Sequence, residues 1–237
     1  MGRPLVIKDL GLRPFADTVT AMQTFTDARQ DETADECWLL EHPPVFTLGQ
    51  AGKPEHILDV GDTPVVHTDR GGQVTWHGPG QLVVYLLLNL RLAGLGVRDL
   101  VSGIERSVIA LLAGYGVTGE VRKGAPGVYV AGAKVAALGL RIRRGSSYHG
   151  LSLNVDNDLA PYDCINPCGY AGLPVVSLRS LGIDVAMPEV KVELARVLAE
   201  ELGYSLVSDC VAMEYAVSDC TIGGRAIGEQ ANRKQNG

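Results

Sequence analysis

The chain has 237 residues, of which 46% are hydrophobic, so it can bury the core of one large domain. Its formal net charge of −6 argues against bulk binding to nucleic acid or to anionic lipid. No apolar run approaches the roughly 18 residues of a membrane span, and the first residues do not resemble a signal peptide. Five cysteines at irregular spacings are not typical of a disulfide framework. We therefore expect a cytoplasmic protein that binds neither nucleic acid nor membrane.

The first half of the chain alternates short apolar runs with one amphipathic segment. A helix is predicted from Pro14 to about Arg29, because proline suits the first turn and the apolar residues recur at helical spacing. The predicted strands are residues 5–7, 37–40, 45–48, 65–67 and 82–90.

The second half begins with a helix and continues with a β region divided by glycines. Helices are predicted at about 99–114 and 188–202. Strands are predicted at 127–130, 134–144 and 148–155, as a three-strand meander, and at 204–207. The pattern favours a single α+β domain over residues 1–207, with a smaller lobe from about residue 180 as an alternative. Residues 208–237 are polar at their end and are predicted to be a disordered tail.

The densest group of turn-forming residues lies at residues 70–81, which contain four glycines and one proline before the most apolar strand. Glycine allows positive φ and close approach of a ligand to the backbone. We interpret this stretch as a shaped loop with Arg70, Gln73 and His77 as its polar groups. An ordinary solvent loop is the alternative.

Lys134 is a candidate for chemistry because it opens a predicted strand. Side chains alternate between the faces of a strand, so Lys134 shares its face with Ala136 and Leu138, and burial would disfavour its charged form. The small residues Ala137 and Gly139 leave room on the opposite face. Sequence alone favours the alternative of a lysine at a strand end that reaches back to water.

Cys168 lies between a proline and a glycine, a turn setting that suits an exposed nucleophilic thiol. Cys164 is better interpreted as a partly buried residue without a role in catalysis. A zinc site formed by Cys164, Cys168, His77 and His149 is disfavoured because the histidines are isolated in sequence. A Cys–His nucleophile pair is a further alternative. No segment has the spacing of a phosphate-binding loop, so the sequence gives no support for an ATP-dependent mechanism.

Four motifs occur in a characteristic order: RGGQVTWHGPGQ at residues 70–81, KVAALG at 134–139, SYHGLSLN at 147–154 and INPCG at 165–169. Together they resemble the octanoyltransferase family of lipoate biosynthesis. The resemblance implies the fold of biotin and lipoate protein ligases, which is a mixed β-sheet with flanking helices.

The resemblance also implies an activity and its partners. An octanoyl group would pass from octanoyl-acyl carrier protein to a specific lysine of a lipoyl domain, as the first step of endogenous protein lipoylation. The implied acceptors are the lipoyl domains of 2-oxo acid dehydrogenases and the H protein of glycine cleavage. No cofactor and no metal are implied.

By position, Cys168 resembles the family's acyl-thioester cysteine, and Lys134 resembles the lysine that keeps this cysteine ionised. His149 is a candidate auxiliary residue. Trp76 stands where many members have tyrosine, which concerns the shape of the site. The implied substrate contacts are Arg70, Gly71, Gly72, Gln73, Val74, Thr75, Trp76, His77, Ala137, Leu138, Gly139, Gly150, Leu151 and Ser152.

Two other functions are compatible with the four motifs and the implied fold. An ATP-dependent lipoate or biotin protein ligase on the same fold needs no thiol nucleophile, and a carrier-binding module needs no catalysis. A local basic surface would help an acidic chain to meet an acidic carrier protein. The densest basic group in the sequence consists of Arg122, Lys123, Arg141, Arg143 and Arg144.

Overall fold

The structure is a computed structural model that describes residues 2–207; the predicted disordered tail, 208–237, lies outside the described residues. The strands are β1 (Arg3–Leu12), β2 (Asp35–Glu41), β3 (Val45–Leu48), β4 (Val65–His67), β5 (Val74–His77), β6 (Gln81–Leu87), β7 (Glu120–Val121), β8 (Gly127–Val130), β9 (Ala133–Arg143), β10 (Ser146–Asn154) and β11 (Tyr204–Leu206). The helices are α1 (Phe15–Ala28), α2 (Leu90–Ala93), α3 (Val97–Gly114) and α4 (Met187–Glu201). Four short 3₁₀ turns occupy Pro54–His56, Ala160–Cys164, Pro167–Gly169 and Arg179–Leu181.

Eight strands form one mixed sheet in the order β11-β1-β2-β6-β10-β9-β8-β7. The β11–β1 and β1–β2 pairs are parallel, and the other pairs are antiparallel. The strands β8, β9 and β10 form the predicted meander. A second sheet, β4-β3-β5, has three strands and carries the residues just before β6. The α+β class with a mixed sheet and flanking helices is present as expected.

The eight-stranded sheet is covered on both faces. Helices α3 and α4 bury the apolar stripes of their amphipathic surfaces, led by Ile104 and Leu194, against one face. Helix α1 packs Met22 against the other face, next to Tyr85 and Tyr148. The segment from about residue 180, considered above as a smaller lobe, places α4 in the main core and pairs β11 with β1.

Two predicted elements differ from the structure. Residues 70–81, expected to be a loop, contain β5, because residues 74–77 alternate and pair with β3. The strand predicted at 82–90 ends at Leu87, and α2 begins at Leu90. Asn89 caps that helix by accepting a hydrogen bond from the backbone N–H of Leu92 at 3.1 Å. An asparagine inside an apolar run was therefore a stop signal for the strand.

One edge region of the sheet is held by a fully buried carboxylate. Asp35 accepts hydrogen bonds from the Arg29 guanidinium at 2.7 Å, from the Asn89 backbone N–H at 2.7 Å and from the Tyr204 hydroxyl at 2.8 Å. Arg3 lies 3.3 Å from the same carboxylate. These bonds tie β1, β2, β11 and the end of α1 together.

Candidate active site

The thiol of Cys168 and the ammonium of Lys134 are in direct contact. Lys134 Nζ lies 2.9 Å from Cys168 Sγ, and Lys134 is only 4% exposed. The structure therefore excludes the alternative that sequence alone favoured, in which this lysine reaches back to water. Thirty-four residues separate the two in sequence, so the contact depends on the tertiary fold.

Main-chain hydrogen bonds bring the cysteine segment to the lysine. The Lys134 N–H donates to the Pro174 carbonyl at 2.8 Å, and the Val176 N–H donates to the Lys134 carbonyl at 3.0 Å. This short parallel bridge fixes the chain that leaves the Cys168 turn against the start of β9. The turn itself then lies beside the Lys134 side chain.

The ammonium has further contacts that orient it toward the sulfur. Lys134 Nζ donates to the Pro126 carbonyl at 3.0 Å and lies 5.1 Å from the centre of the Tyr129 ring. Gly127 has φ +136° there, and a Cβ at that position would lie 3.0 Å from Lys134 Cε. The same Cβ would lie only 2.5 Å from the Ala136 carbonyl oxygen, so a side chain at residue 127 would push β8 away from β9 as well as displace the amine.

Cys168 has an unusual backbone conformation. Its φ is +56°, which is rare for a residue with a side chain, and Gly169 follows with φ +80°. Both lie in the 3₁₀ turn Pro167–Gly169, in which the Gly169 N–H donates to the Asn166 carbonyl at 2.9 Å. Strain of this kind is often found where a reactive group must be presented at a defined angle.

Two cavities meet at Cys168. The first, called here the slot, has about 40 Å³ of free space, and the second, called here the groove, has about 390 Å³. The slot is lined by Cys168, His149, Phe15, Val83, Tyr85 and every implied substrate contact except Gly71 and Trp76. The groove is lined by Gly71, Gly72, Gln73, Val97, Val101, Gly124, Ala125, Pro126, Lys134, Leu138, Gly139, Leu140, Cys168 and Tyr170.

The sequence motifs thus converge in space on the cavities beside Cys168. Gly71 lines the groove only. Trp76 lines neither cavity and instead packs edge-on against Tyr162, with ring centres 5.9 Å apart, in the core beneath the three-stranded sheet.

Arg70 holds the segment that separates the two cavities. It is buried, and its guanidinium donates to the Thr47 carbonyl at 2.7 Å, to the Gln73 carbonyl at 2.9 Å and to the Gly71 carbonyl at 2.9 Å. Burial lowers the pKa of Arg70 to about 10, so it stays charged at neutral pH. Gly139 lies beneath, where a Cβ would lie 2.8 Å from the Gly71 carbonyl oxygen.

A His–Asp pair, formed by buried His149 and partly exposed Asp69, lies at the wall of the slot. His149 Nε2 lies 3.0 Å from Asp69 Oδ1, and the Tyr148 hydroxyl donates to the other oxygen of Asp69. The hydrogen bond from His149 holds the pKa of Asp69 well below its usual range, whereas burial lowers the pKa of His149. His149 therefore carries its proton on Nε2, and its Nδ1 has no hydrogen-bond partner among the described residues.

Two more neutral histidines lie close by: His77 lines the slot, and His42 packs next to His77. His42 contacts the Arg13 carbonyl at 2.6 Å and the Tyr85 hydroxyl at 2.7 Å, and burial lowers the pKa of His42 to about 4. His77 bonds Gln81 Oε1 at 2.7 Å, and burial lowers the pKa of His77 well below its usual value. These pairings fix the ring orientations without adding charge.

The zinc alternative has no geometric support. Within residues 2–207, no group of three or more His, Cys, Asp or Glu side chains is arranged to hold a metal ion. Cys168 faces Lys134, whereas Cys164 packs into the core beneath the three-stranded sheet.

The basic group proposed from sequence is divided in the structure. Arg122 lies near Gly132, just before β9, whereas Arg141 lies about 25 Å further along that strand at 3.3 Å per residue. Arg143 and Arg144 lie at the same far end, where both approach Asp27. These residues appeared as one basic group in the sequence because the sequence does not show that β9 carries Arg141, Arg143 and Arg144 away from Arg122.

Several residues beside the cavities were not identified from sequence. Phe15 and Tyr85 come from elements that the sequence marks only as core. Asp69 was missed although it directly precedes the glycine-rich motif. The Pro126–Gly127 pair lies in a run of turn-forming residues, GAPG, which was the available signal for a shaped backbone near Lys134.

Comparison with known proteins identifies the family. Residues 15–199 match the model of the lipoyl protein ligase A/B catalytic domain. The chain is 64% identical over 193 residues to an octanoyltransferase of Halorhodospira halophila, covering 81% of this chain and 89% of that protein. It is 58% identical over 205 residues to an octanoyltransferase of Pseudomonas entomophila, covering 86% and 95%. The chain belongs to the octanoyltransferase family.

Solved structures agree on the fold. A lipoate-protein ligase A bound with ATP superposes on this octanoyltransferase-family chain with a TM-score of 0.66 at 14% identity, covering 88% of this chain and 90% of the other. A biotin protein ligase from Aquifex aeolicus, in complex with biotin and ATP, gives 0.52 at 14% identity, covering 84% and 70%. The family, the ligase-like fold and the class of transferase enzyme predicted from four motifs are confirmed. Among the described residues, no helix has the length and apolar character needed to cross a membrane.

Proposed function

We propose that this chain transfers an octanoyl group from octanoyl-acyl carrier protein to a lysine of a lipoyl domain, through a thioester on Cys168. The observation that carries the proposal is the 2.9 Å contact between Lys134 Nζ and Cys168 Sγ where the slot and the groove meet. A thiol next to an ammonium is favoured as the thiolate, which is the nucleophilic form. Transfer between two macromolecules is easier in two steps through such a covalent intermediate.

In the first step the Cys168 thiolate attacks the thioester carbonyl carbon of the octanoyl donor. A new sulfur–carbon bond forms, and the bond from that carbon to the phosphopantetheine sulfur breaks. Lys134 gives a proton to the leaving sulfur and becomes neutral. The Pro126 carbonyl and the Tyr129 ring hold the amine beside the Cys168 sulfur, where the donor thioester is attacked.

In the second step the unprotonated amine of the acceptor lysine attacks the Cys168 thioester. An amide bond forms, and the bond between the acyl carbon and Cys168 breaks. The attacking nitrogen loses one proton to neutral Lys134, which restores the thiolate–ammonium pair. Over both steps the octanoyl group moves from one carrier to the other, Lys134 gives and regains one proton, and no electrons are gained or lost, so no cofactor is needed.

The slot is the proposed site of the acyl chain. Its floor consists of the small residues Ala137, Gly139, Gly150 and Ser152 on neighbouring strands. Its free space of 40 Å³ has room for about three water molecules. We therefore expect the segment around Arg70 to shift outward when eight carbons enter.

Mass spectrometry of the intact protein after incubation with octanoyl-acyl carrier protein tests this proposal. We expect one added octanoyl group on Cys168, and its loss on addition of a lipoyl domain of a 2-oxo acid dehydrogenase or of H protein. The Cys168→Ser variant should acquire no thioester, and ATP should have no effect. Octanoylation of the acceptor from free octanoate and ATP, by wild type and Cys168→Ser alike, would instead identify a ligase. Unmodified protein that binds the carrier would identify a binding module.

The compartment follows from the same proposal. The described cysteines Cys37, Cys164 and Cys168 are free thiols, and free thiols are typical of the reducing cytoplasm. We therefore place the enzyme in the cytoplasm.

A further inference from the structure

The groove and the slot differ in their relation to Lys134. Cys168 lines both cavities, but Lys134 lines the groove alone. A lysine that protonates the leaving sulfur must face the side on which the leaving group lies. The leaving group therefore belongs in the groove, and the acyl chain belongs on the opposite side of the sulfur.

The groove has the size and lining for an extended, uncharged chain. Its 390 Å³ lie between the start of α3, with Val97 and Val101, and the strand β9, with Leu138. Val97 is 48% exposed and Tyr170 is 51% exposed at its border. Large exposed apolar residues beside a cavity are typical of a binding surface.

Basic residues border the same groove. Gly124 lines it, and the preceding Arg122 and Lys123 are exposed. The Arg122 guanidinium lies 4.4 Å from the centre of the Tyr129 ring, which Lys134 also contacts. Arg122, which also lies 3.8 Å from the exposed Glu120 carboxylate, and Lys123 therefore bring positive charge to the surface on this side.

We propose that the groove binds the phosphopantetheine arm of the acyl carrier protein, and that Arg122 and Lys123 bind the phosphate of that arm. This inference rests on the function proposed above. The arm carries the thioester at one end and an anionic phosphodiester at the other. Its sulfur lies beside Cys168 Sγ and Lys134 Nζ on the groove side, its amide-linked chain lies along Val101 and Leu138, and its phosphate meets the basic border.

Donors that lack successive parts of the arm test the groove. The Val101→Trp variant would fill it, and Val192→Trp is the matched control, because Val192 is an exposed valine on α4 that lines neither cavity. Acylation of Cys168 is measured with octanoyl-phosphopantetheine, with octanoyl-pantetheine, and with p-nitrophenyl octanoate, which has no arm.

For Val101→Trp we expect kcat/KM to fall about tenfold or more with both thioesters and to change less than about twofold with the aryl ester. An equal loss with all three donors would place the acyl chain in the groove and overturn the proposal. Unchanged kinetics with all three donors would also overturn it. Equal melting temperatures of the two tryptophan variants verify that both are folded.

The phosphate contact is tested by Lys123→Glu, with Arg144→Glu as the control from the far end of β9. Lys123→Glu should lower kcat/KM about tenfold with octanoyl-phosphopantetheine, less so at high salt, and should leave octanoyl-pantetheine unaffected. Equal effects on both donors, or the same loss in Arg144→Glu, would contradict the assigned contact. If no donor acylates Cys168 in the wild-type protein, the proposed function itself fails, whatever the variants do.

Discussion

Two buried charged groups lie at different places in the same sheet, and they are paired in different ways. Asp35 is fully buried and receives short hydrogen bonds from Arg29, Asn89 and Tyr204. Lys134 is also buried, but its partners are one carbonyl, one aromatic face and the Cys168 sulfur beside two cavities. The first charge is neutralised by a saturated set of partners and is chemically inert. The second faces a partner that can react.

Burial alone therefore does not mark a functional charge in this molecule. What distinguishes the reactive group is incomplete pairing next to open space, together with local backbone strain. Positive φ at Cys168 and at His149 occurs beside the slot, whereas the partners of Asp35 have no such strain among the described residues. The following predictions test this contrast from the largest expected effect to the smallest.

Replacing the reactive sulfur should separate activity from stability most clearly. We expect Cys168→Ser to lower octanoyl transfer by about a thousandfold or more, because serine at neutral pH is a far weaker nucleophile than a thiolate. The unfolding midpoint should stay near that of the wild type. Cys164→Ser is the control and should retain transfer; an equal loss in that variant would contradict the role assigned to Cys168.

The Asp35→Asn variant should lose stability and keep its transfer activity, which is the opposite of the result expected for Cys168→Ser. Removing the negative charge leaves Arg29 buried without compensation, which costs about 3–5 kcal/mol of unfolding free energy. Urea denaturation measures this loss, and per-molecule transfer activity of the remaining folded protein should be little changed. A stable but inactive Asp35→Asn variant would show that the two clusters are not independent.

Lys134→Met should keep the fold and lose a proton donor. We expect transfer to fall by about a hundredfold to a thousandfold, the range typical of a lost general acid–base. Acylation by p-nitrophenyl octanoate should fall less than acylation by the thioester donor, because the p-nitrophenolate leaving group needs no proton. If both donors lose the same factor although the protein is folded, Lys134 has only a structural role.

Gly127→Ala should have an intermediate effect. The added Cβ lies 2.5 Å from the Ala136 carbonyl oxygen and 3.0 Å from Lys134 Cε, and the φ of +136° is strained for alanine, so both the β8–β9 pairing and the amine must shift. We expect about a tenfold loss of kcat, which corresponds to a displacement of the amine that costs about 1.4 kcal/mol. Gly116→Ala is the matched control, since Gly116 lines neither cavity and a Cβ there meets nothing within 4 Å, although its φ of +76° is also positive. Equal losses would attribute the effect to backbone strain alone.

The smallest effect concerns pH. The pKa of His42 is about 4 in the folded protein and 6.5 in the unfolded chain, so only the unfolded state takes up this proton between those values. Stability should therefore fall as the pH drops from 6.5 toward 4, by at most about 1.4 kcal/mol per pH unit for one histidine. Below about pH 4, protonation of Asp69 removes further stability, because its folded pKa is depressed.

Denaturation curves at several pH values measure this slope, and His42→Gln should flatten it between pH 6.5 and 5. An unchanged slope would mean that the other buried histidines, His77 and His149, account for the proton uptake.

The sequence predicts the periodic elements and singles out Lys134 and Cys168, but not the residues around them. The apolar runs place β2, β3 and β6 within a few residues, and Pro167 and Gly169 mark the turn that presents Cys168. Strand β5 was missed because its glycine-rich flanks obscure a four-residue alternation. The order of the four motifs indicated that Lys134 and Cys168 belong to one site, but it gave no distance between them.

The groove could not be derived from sequence at all. It forms because the first turn of α3, with Val97 and Val101, lies opposite β9, and these segments are more than thirty residues apart in the chain. The division of the basic residues between two ends of β9 is likewise a result of strand direction. Contacts between segments so far apart in the chain depend on tertiary packing, which local sequence patterns do not predict.

The peptide groups on both sides of Lys134 are bound to Pro174 and Val176, in the chain that leaves the thiol turn. These two hydrogen bonds fix the start of β9, which carries the amine, to the chain that follows the thiol turn. Warming should therefore preserve the contact between Lys134 Nζ and Cys168 Sγ until these hydrogen bonds break, and octanoyl transfer should then be lost within a narrow temperature interval.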